Sequence, residues 1–277
     1  MNELKYKIRK DLSKVDGGIT IYRIEALKDF SDIKKGDLGG WIEKEDNLSQ
    51  IGDCWVYDNA CLFNNVVVKN NAQIHGNARI YDDAYIFDNA RIYDNVFVEN
   101  NARIFGNATI RHDAYIWGNA KIYGDATIYN SAKVYYNAVV HGNAVIKDKV
   151  KVFGNAEIYG NAKVYDECII YGEAVIRDYA FLYGNAEIGG DAIIKDKFEY
   201  IVCRNNWSSG RYFTYTHSNK MWKVGCFYGT GKELIKKAYE DSELSGKNYE
   251  ATVKYVEELY SNIETALKEK KIIKYKN

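Results

Sequence analysis

From Gly52 to Lys195 the chain divides into 24 hexads without a gap, and the fifth position of each is Ile, Val or Leu, from Val56 to Ile194. The third position is Ala in 19 hexads and otherwise Cys54, Cys168, Val66, Val96 or Val150. Third and fifth positions lie two apart, so on a short strand both point to one side. A small residue beside a branched aliphatic fills a narrow interior without voids. The first position is Gly, Asp or Asn in all but His112 and Tyr136, and the second is Asn or Asp in 19 hexads. These types tolerate positive φ and therefore turn the corner between strands. A strict short period of this kind predicts a solenoid.

The sixth position faces outward, yet it is aromatic in 15 hexads. Residues 18 apart should stack if three hexads make one coil. Tyr135, Phe153 and Tyr171 would then form one ladder, and Phe87, Phe105, Tyr123, His141 and Tyr159 another. Such a ladder stiffens the rod, or offers an aromatic face to a sister subunit or a ligand.

The I-x-G-N-A-x pattern resembles the hexapeptide-repeat family. That resemblance implies a left-handed parallel β-helix of triangular section, here about eight coils, roughly 38 Å long at a 4.8 Å spacing. The predicted fold is mainly β: an N-terminal cap (1–51), the β-helix (52–196) and a small C-terminal α+β domain (197–277). In the cap, ITIYRIEALKDF (19–30) reads as a strand and turn, and Trp41 as a lid over the bore. In the tail, FEYIVCRN, RYFTYTHS and KMWKVGCFYG read as three strands. Thr230 and Glu233 form a capping box opening a helix that stops near Gly246. A second helix from Asn248 carries Val253, Val256, Tyr260, Ile263 and Leu267 on one face. Outward Val139, Val175 and Ile193 share a rod face on which this unit could fold back.

With 38 basic and 38 acidic residues, the chain has no net charge to draw nucleic acid or a membrane. Duplex DNA is not an expected partner. No apolar run of about 18 residues suggests a membrane span, and the start lacks the apolar core of a signal peptide. Five cysteines with no C-x-x-C pair point to a reducing bacterial cytoplasm. No metal or cofactor is expected.

The hexapeptide-repeat resemblance raises acyl transfer, with a histidine as general base. By hexad count, however, His75, His112 and His141 fall on three different faces, and no loop is extruded from the repeat. Catalysis by the rod is therefore not the favoured reading. The stretch from Tyr200 to Lys232 holds five Lys or Arg and no Asp or Glu, with aromatics interleaved. Basic groups for phosphate and rings for bases are how nucleotides are held. The candidate ligand site comprises Arg204, Trp207, Arg211, Tyr215, Lys220, Trp222, Lys223, Gly229, Thr230 and Gly231. Arg211 and Lys223 would contact phosphate, Trp207 or Trp222 would stack, and the Gly229–Gly231 amides would bind an oxyanion at a helix start. It is not a P-loop: Cys226 stands where glycine is required, and Glu233 replaces Ser/Thr.

YRIEALKDF (22–30), KKGDLGGWIEKEDNLS (34–49), the GNA hexads and NNWSSGRYFTYTHSNKMWKVGCFYGTG (205–231) resemble the YdcK-type group of bacterial and phage hexapeptide-repeat proteins. The resemblance implies the fold and a phage or prophage setting, and brings no catalytic residues to carry over. Three functions follow as expectations. The first is a non-enzymatic, homo-oligomeric (dimeric or trimeric) scaffold binding a small anion, such as a nucleotide signal sequestered in counter-defence. The others are an acyltransferase with its site at a subunit seam, and a structural or protein-interaction module.

Overall fold

The computed structural model describes residues 3–206 and 210–274, with side chains to residue 265. It opens with an antiparallel hairpin of β1 (Tyr6–Asp16) and β2 (Ile19–Ala26), followed by β3 (Leu38–Ile42). Twenty-four strands of two residues follow, from β4 (Trp55–Val56) to β27 (Ile193–Ile194), each pairing in parallel with the strand three further on. Three sheets result, the faces of a parallel β-solenoid. Every third- and fifth-position side chain from Cys54 to Ile194 is buried, forming one continuous core.

The two-residue strands follow from the corners. All 24 first positions adopt φ between 51° and 79°, including His112 (62°) and Tyr136 (57°). A residue with a Cβ costs about 1–2 kcal/mol in that region, which is why Gly, Asn and Asp dominate there. At Gly124 a Cβ would lie 2.8 Å from Gly142 N of the next coil, so the corners also stack backbone to backbone. Second-position side chains add a ladder: Asn71 donates to Asn89, Asn89 to Asn107 and Asn107 to Asp125, at 2.9–3.1 Å. The run ends at Asp125 because a carboxylate accepts and cannot donate onward.

The predicted aromatic ladders are present. Trp117, Tyr135, Phe153 and Tyr171 stack in turn with centroids 4.0, 4.9 and 5.6 Å apart. Phe87, Phe105, Tyr123, His141 and Tyr159 stack at 4.7–5.0 Å.

The rod has chemically opposite ends. Amides of each coil donate to carbonyls of the next, so the first coil is left with free carbonyls and the last with free amides. A sheet edge needs cover. At the first coil, Gly52 O and Cys54 O accept from Lys5 Nζ, and Asn64 O and Val66 O from Asn47 Nδ2. Ala60, Leu62 and Val68 carbonyls accept from Trp41, Glu43 and Ser49 amides. At the last coil, Glu187 N donates to Thr214 Oγ1 (3.1 Å), Ile193 N to Ser218 Oγ (2.8 Å) and Lys195 N to Glu199 Oε2 (2.6 Å).

The segment before Gly52 extends the solenoid as well as closing it. β3 pairs in parallel with Cys61–Leu62, and Leu48 bridges Val68, a partial ninth coil two residues out of the 18-residue register. Trp41 is not a lid. Its ring lies outside, between Lys14 Nζ and the Arg23 guanidinium, 4.4 and 4.5 Å away. The core at that end is closed by Tyr6, Ile24, Ile33 and Trp55, with Phe30 edge-on to Trp55.

The C-terminal unit is an antiparallel meander of β28 (Tyr200–Arg204), β29 (Tyr212–Thr216), β30 (Met221–Val224) and β31 (Phe227–Thr230). KMWKVGCFYG is therefore two strands, folded at Gly225, whose φ is 55°. α1 (Gly231–Asp241) starts at the predicted capping box and ends at Ser242, short of Gly246. α2 (Glu243–Lys274) contains both Gly246 and Asn248. Val253, Val256 and Tyr260 are buried against the sheet as predicted, with Phe213, Tyr215 and Trp222, while the Leu267 side chain lies outside the described residues. The unit does not fold back along Val139 and Val175. It sits on the last coil, where Tyr200 joins the rod core and donates to Phe181 O. No helix among the described residues is long and apolar enough to cross a membrane.

Candidate functional site

The β-meander separates the residues that the charge pattern grouped. Neighbours on a strand point to opposite faces. Trp222 is fully buried against the helices, whereas Lys223 turns to the rod, bonded to Gly225 O and 3.4 Å from Glu187 Oε2. The two cannot hold one ligand. Arg204 donates to Gly210 O (3.2 Å), and Arg211 lies against the Gly225 turn, at one end of the sheet. Lys220, Thr230 and Gly231 lie at the other, four residues along β29, or about 14 Å. Trp207 lies outside the described residues.

The expected oxyanion seat at the start of α1 is taken by the chain itself. Glu233 accepts from the Thr230 amide and hydroxyl, both at 2.8 Å. These bonds hold its carboxyl below the usual carboxylate range. Gly229 is buried in β31, and a Cβ on Gly231 would lie 2.4 Å from Glu257 Oε1. Two carboxylates thus already face this helix start.

What the structure does bring together is a cleft of about 420 Å³ between that end of the sheet and α2. Tyr215, Lys220, Thr230 and Gly231 line it from the predicted set, joined by His217, Lys232, Glu257, Tyr260, Ser261 and Glu264. His217 stacks on Tyr260 (4.6 Å, 11°) and places Nε2 3.0 Å from Glu264 Oε1. Its Nδ1 is buried with no hydrogen-bond partner among the described residues. Burial, reinforced by the Glu257 and Glu264 charges, pushes the Tyr215 hydroxyl up to about 12. The α2 contribution carried a readable signal: Glu257, Tyr260, Ser261 and Glu264 repeat at i, i+3, i+4 and i+7, one helix face.

The rod histidines do not cluster: His75 and His141 follow strands of two different sheets, and His112 stands at a corner between Ile110 and Tyr115. His75 is stacked between Tyr57 and Tyr93, 3.9 and 4.7 Å away. His112 holds a corner, with Nδ1 2.9 Å from Asn130 Oδ1. His141 is stacked in its ladder, with Nε2 3.0 Å from Glu157 Oε1. Burial lowers the His75 pKa from its ordinary 6.5. Below about pH 6.5 the unfolded chain therefore takes up a proton that the folded chain refuses. Stability should fall as pH drops through that range. His75→Phe, which keeps the stack, should flatten this part of the stability–pH curve in denaturant titrations.

The family described as YdcK Beta solenoid repeat matches residues 120–136, within the middle of the rod. Together with the three-faced coil, that match places the architecture. The chain folds as a parallel β-solenoid built on a six-residue repeat. An Escherichia coli (strain K12) protein named "Uncharacterized acetyltransferase YdcK" is 38% identical over 68 residues. The match covers 24% of this chain and 21% of that protein, so the chain spans about a fifth of its relative's length.

Proposed function

We propose that this β-solenoid is a non-enzymatic binding protein whose ligand, a small nucleotide-like anion, sits in the cleft between the C-terminal sheet and α2. The carrying observation is the convergence there of Lys220 and Lys232 with Glu257, Glu264 and His217 around one cavity. The ammonium groups suit phosphate, and the carboxylates suit the N–H edge of a base. This differs from a purely basic patch: the ligand must carry both an anion and hydrogen-bond donors. In a phage setting, such a cleft would sequester a host nucleotide signal.

A thermal-shift panel of nucleoside mono-, di- and cyclic phosphates tests the proposal. A ligand at a hundredfold excess over its Kd stabilises by about 3 kcal/mol. Lys232→Glu, on the exposed side of α1, should abolish the shift. Arg211→Ala, at the far end of the sheet, should leave it intact. No shift with any nucleotide would sink the reading.

Acyl transfer is the second reading, supported by the relative's name and by the oriented His141–Glu157 pair. It predicts acyl-CoA turnover that His141→Ala removes.

A further inference from the structure

We propose that Lys5 and Cys54 are placed for peroxide-driven covalent coupling, Nζ to Sγ, which locks the start of β1 onto the first coil. Cys54 occupies the third hexad position, where Ala serves in 19 of the 24 hexads, so packing alone does not require sulfur. Lys5 is 1% exposed and Cys54 0%. The Lys5 Nζ lies 2.8 Å from Cys54 O, 3.1 Å from Gly52 O and 3.2 Å from Cys54 Sγ. Besides Cε, a tetrahedral nitrogen has three directions, one for each of these three contacts. In the neutral amine, two N–H groups suffice for both carbonyls, which leaves the lone pair for sulfur 3.2 Å away. Burial lowers the Lys5 pKa and so favours that form.

Hydrogen peroxide is the oxidant. It transfers one oxygen to Cys54 Sγ, its O–O bond breaks, and the sulfenic acid forms with release of water. The Lys5 lone pair then attacks the sulfur. The S–O bond breaks, the departing hydroxide takes the proton from nitrogen, and a second water leaves. One peroxide is consumed, two electrons are lost by the Lys–Cys pair, and an N–S bond remains. Burial raises the Cys54 thiol pKa, so the first step is slow. Cys168 is the internal control. It has the same hexad position and the same burial, but its Sγ meets Gly184 O at 3.8 Å instead of an amine.

The test is peroxide treatment of the full chain, non-reducing digestion and tandem mass spectrometry, with oxidation of exposed Cys226 as the measure of dose. The expected product links the Lys5 and Cys54 peptides at about 2 Da below their summed mass. It should be absent from Cys54→Ala, which restores the common repeat residue, and Cys168 should give no amine adduct. Recovery of Cys54 as free thiol, or as sulfinic or sulfonic acid with Lys5 unlinked, in samples whose Cys226 is oxidised would overturn the proposal. So would a Lys5 link that persists in Cys54→Ala.

Discussion

Replacing Asn47 with leucine should destabilise the N-terminal end of the rod by about 3 kcal/mol or more, although the two side chains are similar in size. Asn47 is fully buried and stands where a strand would otherwise run. Its Oδ1 accepts from Glu43 N (3.1 Å) and Lys44 N (2.9 Å), and its Nδ2 donates to Asn64 O (3.0 Å) and Val66 O (2.9 Å). Leucine would leave Lys44 N, Asn64 O and Val66 O with no partner among the described residues, each costing about 1–3 kcal/mol if kept from water, while Glu43 N keeps its bond to Leu62 O. Because a solenoid's stability is carried by nearest-neighbour contacts, the loss should be local. Hydrogen exchange should accelerate in residues 38–70 and remain slow in the central coils. A variant within about 1 kcal/mol of the parent would show that the side chain's bonds do not hold the partial ninth coil.

Gly190→Ala should detach the C-terminal unit while sparing the rod. Gly190 has φ of 64°, and a Cβ there would lie 1.9 Å from the Tyr228 hydroxyl. Tyr228 must then move, giving up its bond to Gly189 O and the one it accepts from Asn219. The combined cost is about 2–4 kcal/mol, of which about 1 is the backbone term. Gly184→Ala separates the two contributions. It has the same repeat position and φ of 72°, with nothing within 4 Å of the added Cβ. It should cost only the backbone term. Limited proteolysis should cut Gly190→Ala between residues 195 and 200, leaving a resistant rod. Equal protease resistance of the two variants would contradict this docking geometry.

How far the sequence could be read depended on whether neighbours in the chain are neighbours in space. In the rod they are, at a fixed offset of 18. Hence the hexads alone predicted the buried positions, the left-handed corners and the ladders through Tyr135 and Tyr123. The partial ninth coil escaped because a two-residue offset breaks the period and the Asn47 side chain replaces a strand, which no periodicity reports. The C-terminal site was read from composition, which says nothing of sides. Strand alternation puts Trp222 and Lys223 on opposite faces, and that much was available from their adjacency. That Glu233 would fill the start of α1 was implicit in its capping box, whereas Glu257 reaches it only through the packing of α2. Four of the ten lining residues come from that helix, outside the acid-free stretch.

If the proposed ligand sits in the cleft holding Lys220 and Lys232, its binding must depend on those two ammonium groups. Native mass spectrometry of the protein purified from expressing cells, beside Lys220→Glu/Lys232→Glu, tests this most directly. The prediction is a nucleotide-sized adduct on the parent and a bare mass for the double variant. A parent that carries no adduct, or an adduct that the double variant retains, would contradict it.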